Sequence, residues 1–250
     1  MLPYITSTVI PLGPITIQTW GLLVSLGFVA GGAASAWLCR ARGLKSEIVW
    51  EILGLLLLGS MVFGRLFFVL FYSPGYFIEH PLEVFYIWQG GMSMMGGIFG
   101  AVLLGLIYLR QKKLGIWRYS DTLIFGLPLG YFIGRIGCFL IHDHPGLPTN
   151  FFLGVQYPDG VVRHDLGLYH SLFGLILFLV FLVFKKIKAP IGTFLVSFLL
   201  VYGLFRLAFD FLRVGETVLI YLTPGQWSGI IMVAFGLYFL RKLLICKKLF

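Results

Sequence analysis

Seven stretches of the chain are each long and apolar enough to cross a bilayer, at about 15–39, 47–72, 91–109, 119–141, 166–184, 190–210 and 224–240. A hydrocarbon core about 30 Å thick takes roughly 20 residues of helix, and backbone in lipid must satisfy its hydrogen bonds internally. The expectation is therefore an all-α, polytopic membrane protein with seven transmembrane helices. Seven spans with short connections nearly exhaust the 250 residues, which reads as a single transmembrane domain. Charged residues are only 12% of the chain, against about 25% in a soluble domain. Bilayer replaces the missing polar surface. Gly and Pro gather around Gly91 and Pro128, where a span is expected to break or kink.

The basic residues choose an orientation. Arg40, Arg42 and Lys45 follow the first span; Arg110, Lys112, Lys113 and Arg118 separate the third from the fourth. Lys185, Lys186 and Lys188 separate the fifth from the sixth, and Arg241, Lys242, Lys247 and Lys248 follow the seventh. The opposite connections hold only Arg163 and Arg213. Positive loops stay inside, so the C-terminus is expected in the cytoplasm and the N-terminus outside. The first 14 residues carry no Lys or Arg, and hence no basic region of a cleavable signal peptide. The net charge of +9 is thus a topology signal, and no nucleic acid partner is expected. All five histidines, His80, His142, His144, His164 and His170, fall in or beside the outer connections.

Small-residue ladders (Gly126/Gly130/Gly134, Gly96/Gly100, Gly27/Gly31) point to close helix packing. Cys39, Cys138 and Cys246 have neither metal spacing nor a disulfide pattern. Three arginines, Arg65, Arg135 and Arg206, fall inside spans, at a cost of about 3 kcal/mol each on insertion scales. Asp210, one turn after Arg206, can pair with it. Arg65 and Arg135 have no carboxylate within a turn. Guanidinium forks match phosphate, so the expectation is that Arg65, Arg135 and Arg206, with Asp210, bind a phospholipid headgroup. The alternative is that they tie helices together through backbone carbonyls.

Gly134-Arg135-Ile136-Gly137, Gly64-Arg65-Leu66, Arg163-His164 and Tyr202-Gly203 with Arg206 are segments that together resemble the prolipoprotein diacylglyceryl transferase family. Gly134-Arg135-Ile136-Gly137-Cys138-Phe139 resembles its GRIGNF signature, and His80 to Gly97 its segment ending in SxHGG. Gly64-Arg65-Leu66 matches its second-helix motif, and Arg163-His164 with Leu168-Tyr169 resembles RHPxQLYE. Tyr202-Gly203, Arg206, Asp210 and Arg213 resemble YGxxRxxxExxR, and Leu222 to Gln226 resembles LTxGQ. The matches run in order from about residue 20 to 230.

The resemblance implies transfer of the diacylglyceryl group of phosphatidylglycerol to a lipobox cysteine in the signal peptide of a secreted prolipoprotein. Glycerol phosphate leaves, held by Arg135 and Arg206, with no metal and no diffusible cofactor. The work would be done at the outer side of the bacterial cytoplasmic membrane. Several positions depart from the family pattern. Met95 stands for a histidine, Cys138 for asparagine, Asp143 and Asp210 for glutamates, His170 for another glutamate and Trp20 for tyrosine. Methionine takes no proton, so a general base is expected from His142-Asp143-His144, with Asp143 orienting a histidine. A metal there lacks a third ligand, and Cys138 reads as a small buried thiol. The second function kept open is a non-catalytic lipid-binding or lipid-translocating protein, or a transferase with another acceptor.

Overall fold

The structure is a computed structural model and describes residues 1–13, 15–215 and 221–245. Cys246, Lys247 and Lys248 lie outside the described residues. Seven helices are long and apolar enough to span a membrane. They are α1 (Thr19–Ala41), α2 (Glu47–Phe71), α4 (Met94–Gln111), α5 (Ile116–Ile141), α6 (Leu166–Lys186), α7 (Thr193–Phe209) and α8 (Pro224–Ile245). The short helix α3 (Pro74–Glu79) and two 3₁₀ turns bridge α2 to α4.

The all-α expectation needs correction. Strands β1 (Val9–Leu12) and β2 (Ile15–Gln18) pair as an antiparallel hairpin, so the first span begins at Thr19 rather than residue 15. A second antiparallel sheet has the order β3-β5-β4, from Pro145–Pro148, Val162–Asp165 and Val155–Gln156. Its strands are two to four residues long. Such strands carry too few positions for alternation to show, and isolated bridges from elsewhere in the chain add to them. Leu2, for example, bridges to Val155.

The chain divides into two compact units, residues 1–38 with 120–250, and residues 39–119. In the smaller unit α2 packs on α4, and the Gly96/Gly100 pair makes that seam. A Cβ on Gly59 would stand 2.5 Å from the Gly100 carbonyl oxygen. The expected break at Gly91 is present: Gly90 and Gly91 have φ of 86° and 73°, and α4 starts only after the Ser93 cap, whose hydroxyl accepts from Gly96 N. At Pro128, by contrast, α5 continues as helix.

In the larger unit Gly27 and Gly31 of α1 meet Gly126 and Gly130 of α5. A Cβ on Gly27 would lie 2.5 Å from the Gly130 carbonyl, and one on Gly130 would lie 2.7 Å from the Gly27 carbonyl. Gly167 and Gly174 of α6 press on α5, and Gly203 of α7 faces Gly229 of α8 in the same way. The α5–α6 seam carries no GxxxG spacing, which hid it in the sequence; on α8 Gly225 and Gly229 do stand four residues apart. Below them an aromatic core gathers Leu38, Phe125, Leu177, Phe181, Phe194 and Phe198. Asp121, fully buried on α5, accepts from Leu195 N at 2.9 Å and so satisfies a free donor in the first turn of α7.

Backbone-to-backbone seams have no slack. Gly130→Val should lower stability by about 1–3 kcal/mol through overpacking, read as an earlier thermal unfolding in detergent. Gly54→Ala, with nothing within 4 Å of the added carbon, should leave it unchanged or slightly raise it.

Candidate functional site

The three intramembrane arginines have three different surroundings. Arg65 is buried, and it is surrounded by carbonyl oxygens. Nε donates to Val84 O at 2.9 Å, Nη2 to Glu83 O at 2.6 Å, and Nη1 to Gly90 O at 2.6 Å and Gly91 O at 3.0 Å. Phe77 and Phe68 lie under the guanidinium at 5.1 and 5.9 Å. Four of five N–H donors are thereby used. The expectation that Arg65 grips a phosphate gives way to the alternative: it pins the loop between α3 and α4. Gly91 has no side chain because a Cβ would sit 2.9 Å from Arg65 Nη1.

Arg206, on the last turn of α7, pairs with Asp210 as its spacing predicted, Nη1 to Oδ1 at 3.3 Å. Asp210 is held by the Thr223 hydroxyl through its other oxygen. Thr223 and Gln226 form a reciprocal capping box for α8, Gln226 N to Thr223 Oγ1 at 3.1 Å and Thr223 N to Gln226 Oε1 at 3.0 Å. Gly225 between them admits the guanidinium, since a Cβ there would lie 2.6 Å from Arg206 Nη2. The Leu222-to-Gln226 run is thus a helix cap built around an arginine.

Arg135 is the arginine with an opening. It lines a cavity of about 380 Å³ with Trp20, Val24, Gly130, Tyr131, Gly134, Cys138, Asp143 and His144. Its neighbours are soft: the Tyr131 ring, 5.1 Å below its Cζ, and Cys138 Sγ, 3.9 Å from Nη1. Among the described residues no carboxylate comes within ion-pair distance of it. Arg206 is not part of that lining, though both guanidiniums act electrostatically on Tyr131 and on His170. The Tyr131 hydroxyl and His170 Nδ1 are hydrogen-bonded.

The histidine run divides. His142 leaves α5 with φ of 50°, a left-handed helix cap. Its ring stacks on Tyr4 at 4.0 Å, with Nδ1 2.6 Å from Asp165 Oδ2 and Nε2 3.1 Å from the Ile5 carbonyl. Both nitrogens face protein oxygens, so the general-base expectation for His142 fails on geometry. Asp165, missed in the sequence, also accepts from Tyr157 Oη at 3.0 Å and caps α6 through Leu168 N. Only a three-dimensional packing of α5 on the N-terminal segment could reveal it. Asp143 and His144 pair with each other and line the cavity. Met95 lies on the first turn of α4, in the smaller unit, with 43% of its surface exposed.

A cavity wall bearing an arginine fits the ordered sequence motifs, and comparison with known proteins decides the family. The profile of the prolipoprotein diacylglyceryl transferases matches residues 7–241. The chain belongs to that family. The phosphatidylglycerol–prolipoprotein diacylglyceryl transferase of Nitratidesulfovibrio vulgaris is 35% identical, over 96% of this chain and 95% of its own. Those of Bordetella parapertussis (34%, covering 94% of each chain) and Geobacter sulfurreducens (32%, covering 95% and 93%) are similar over the same extent. As in the transferase signature, Arg135 follows Gly134. Trp20, Cys138 and Asp143, three positions singled out in the sequence, meet in one cavity.

Two outcomes follow. Arg65→Gln should cost on the order of 3 kcal/mol, because buried carbonyls lose charged donors, and should open residues 80–91 to protease while α5 stays protected. His164, whose Nδ1 is 2.7 Å from Tyr169 Oη, is held below the ordinary imidazole value of 6.5 by burial. The unfolded chain therefore takes up this proton first. Stability is full above about pH 6.5 and declines as pH falls below it. His164→Gln should flatten that decline in a thermal-unfolding series.

Proposed function

We propose that this chain transfers the diacylglyceryl group of phosphatidylglycerol to the cysteine thiol of a prolipoprotein signal peptide, releasing glycerol phosphate. Family membership supports the reaction class, and one observation carries the site: Arg135 faces a cavity, and among the described residues no carboxylate is within ion-pair distance of it. A fixed guanidinium in a low-dielectric wall stabilises charge that develops on a leaving phosphate. The sulfur lone pair forms the new C–S bond at the glyceryl carbon, and the C–O bond breaks toward the phosphate. Arg206, oriented by Asp210 and the α8 cap, supplies the second positive charge of the neighbourhood. Asp143 and His144 stand where an acceptor thiol would be deprotonated.

The basic loops support a reaction at the outer side of the bacterial cytoplasmic membrane, with the N-terminus outside and the C-terminus inside. A second reading, a lipid-binding or lipid-translocating protein without catalysis, is favoured by Met95, whose thioether takes no proton.

Radiolabelled phosphatidylglycerol in detergent with a lipobox peptide separates the two. Transfer should be seen, and Arg135→Gln should lower it by about 10²–10³-fold, the usual loss of one preorganised donor. Lipid binding with no release of glycerol phosphate would establish the second reading.

A further inference from the structure

We propose that Cys138, Asp143 and His144 form a three-ligand site for a divalent, zinc-type cation, whose open fourth position takes the acceptor's thiolate. One ligand atom from each residue lies within 4.8 Å of the other two. Thiolate, imidazole and carboxylate are the donors a borderline-soft ion selects, and three protein ligands with one vacant place is the form of a catalytic zinc site. In a tetrahedron of about 2.0–2.3 Å bonds the donors stand roughly 3.5 Å apart. Closing from 4.8 Å asks for about an ångström of side-chain rotation. Asp143 and His144 have room for it, their side chains being 34% and 22% exposed beside the cavity.

The sequence concealed this set, because the chemistry-bearing run reads as His-Asp-His and lacks a third ligand. The left-handed turn at His142 removes that histidine toward Asp165 and leaves Asp143 and His144 beside Cys138, one turn back on α5. His144 Nδ1 stands within ion-pair range of Asp143 but off the line of a hydrogen bond, and among the described residues it has no other partner. A lone pair and a carboxylate so arranged can share a cation. Around the sulfur, the Arg135 guanidinium directs an N–H group at Sγ, and the Trp20 indole lines the same cavity. Such a donor is a usual outer partner of a metal-bound thiolate.

Charge also balances. A dication with one thiolate and one carboxylate is neutral, so Arg135 at 3.9 Å from Sγ meets no net repulsion. When the acceptor binds, its thiol gives its proton to solvent and its sulfur joins the metal, since a coordinated thiol is deprotonated outright. The site is then negative by one, facing the guanidinium. The sulfur lone pair goes on to the glyceryl carbon, and the C–O electron pair leaves with glycerol phosphate. This device would do the work of a base that Met95 cannot do. The acceptor role rests on the transferase reading; the metal site does not.

Cobalt(II) tests it on the full-length protein in detergent. The protein freed of metal should bind one equivalent and develop a thiolate-to-cobalt charge-transfer band. Cys138→Ser should abolish the band, His144→Asn should weaken cobalt binding at least tenfold, and Cys39→Ser should change neither. A cysteine lipobox peptide should strengthen the band, and its serine counterpart should not. Chelation should reduce diacylglyceryl transfer about 10²-fold or more, the scale of a lost general base, with zinc restoring it. No stoichiometric band, or one surviving Cys138→Ser, overturns the site. A band indifferent to the cysteine peptide overturns the acceptor role. Chelator-resistant transfer by protein that binds no cobalt sinks the metal and keeps the transferase; a Cys138-dependent band without transfer does the reverse.

Discussion

A guanidinium sunk among apolar helices must be compensated, and the three arginines of this protein are compensated in three ways. Bringing each into the span costs about 3 kcal/mol on insertion scales. Arg65 recovers that cost from four backbone carbonyls, for which the loop of residues 83–91 has to bend back on α2. Arg206 recovers it from Asp210, and the cap of α8 is shaped so that Gly225 leaves space for the pair. Arg135 recovers little from the protein. Its partners are a thiol and a ring, and its remaining donors line a hollow. That incomplete satisfaction is the ground for proposing an anion at Arg135, a phospholipid phosphate being the anion native to a bilayer.

The glycines serve the same arrangement. Between α1 and α5 the backbones approach until a single added carbon would collide, which holds Trp20 and Val24 of α1 against the face bearing Arg135 and Cys138. In membrane helices no hydrophobic gain drives such association, so close contact of small residues has to supply it. Packing and chemistry are therefore coupled on α5. The ladder Gly126, Gly130, Gly134 ends where the functional residues begin.

At the end of α5 the chain changes character. His142 turns it with a left-handed residue, and Asp165, Tyr157, Tyr4 and the Ile5 carbonyl close around the imidazole. This polar knot joins the N-terminal segment, α5 and α6. It also decides which of the two neighbouring histidines faces the cavity. His144 does, in company with Asp143.

The sequence by itself determined the seven spans, their approximate limits and the three candidate arginines, because apolar length and charge inside apolar runs are local properties of the chain. It determined the family as well, since the motifs follow one another in order over most of the chain. The Arg206–Asp210 pair was legible because four residues make one helical turn. Only the tertiary structure decided that Arg65 is a clamp, that His142 serves Asp165, and that two small sheets interrupt an otherwise helical fold. The two side chains depend on partners 18 to 26 residues away, for Arg65 backbone carbonyls, and the sheets on strands too short to show a pattern. A carbonyl is carried by every residue and so leaves no mark in a sequence; which one meets a given side chain is settled when the chain packs.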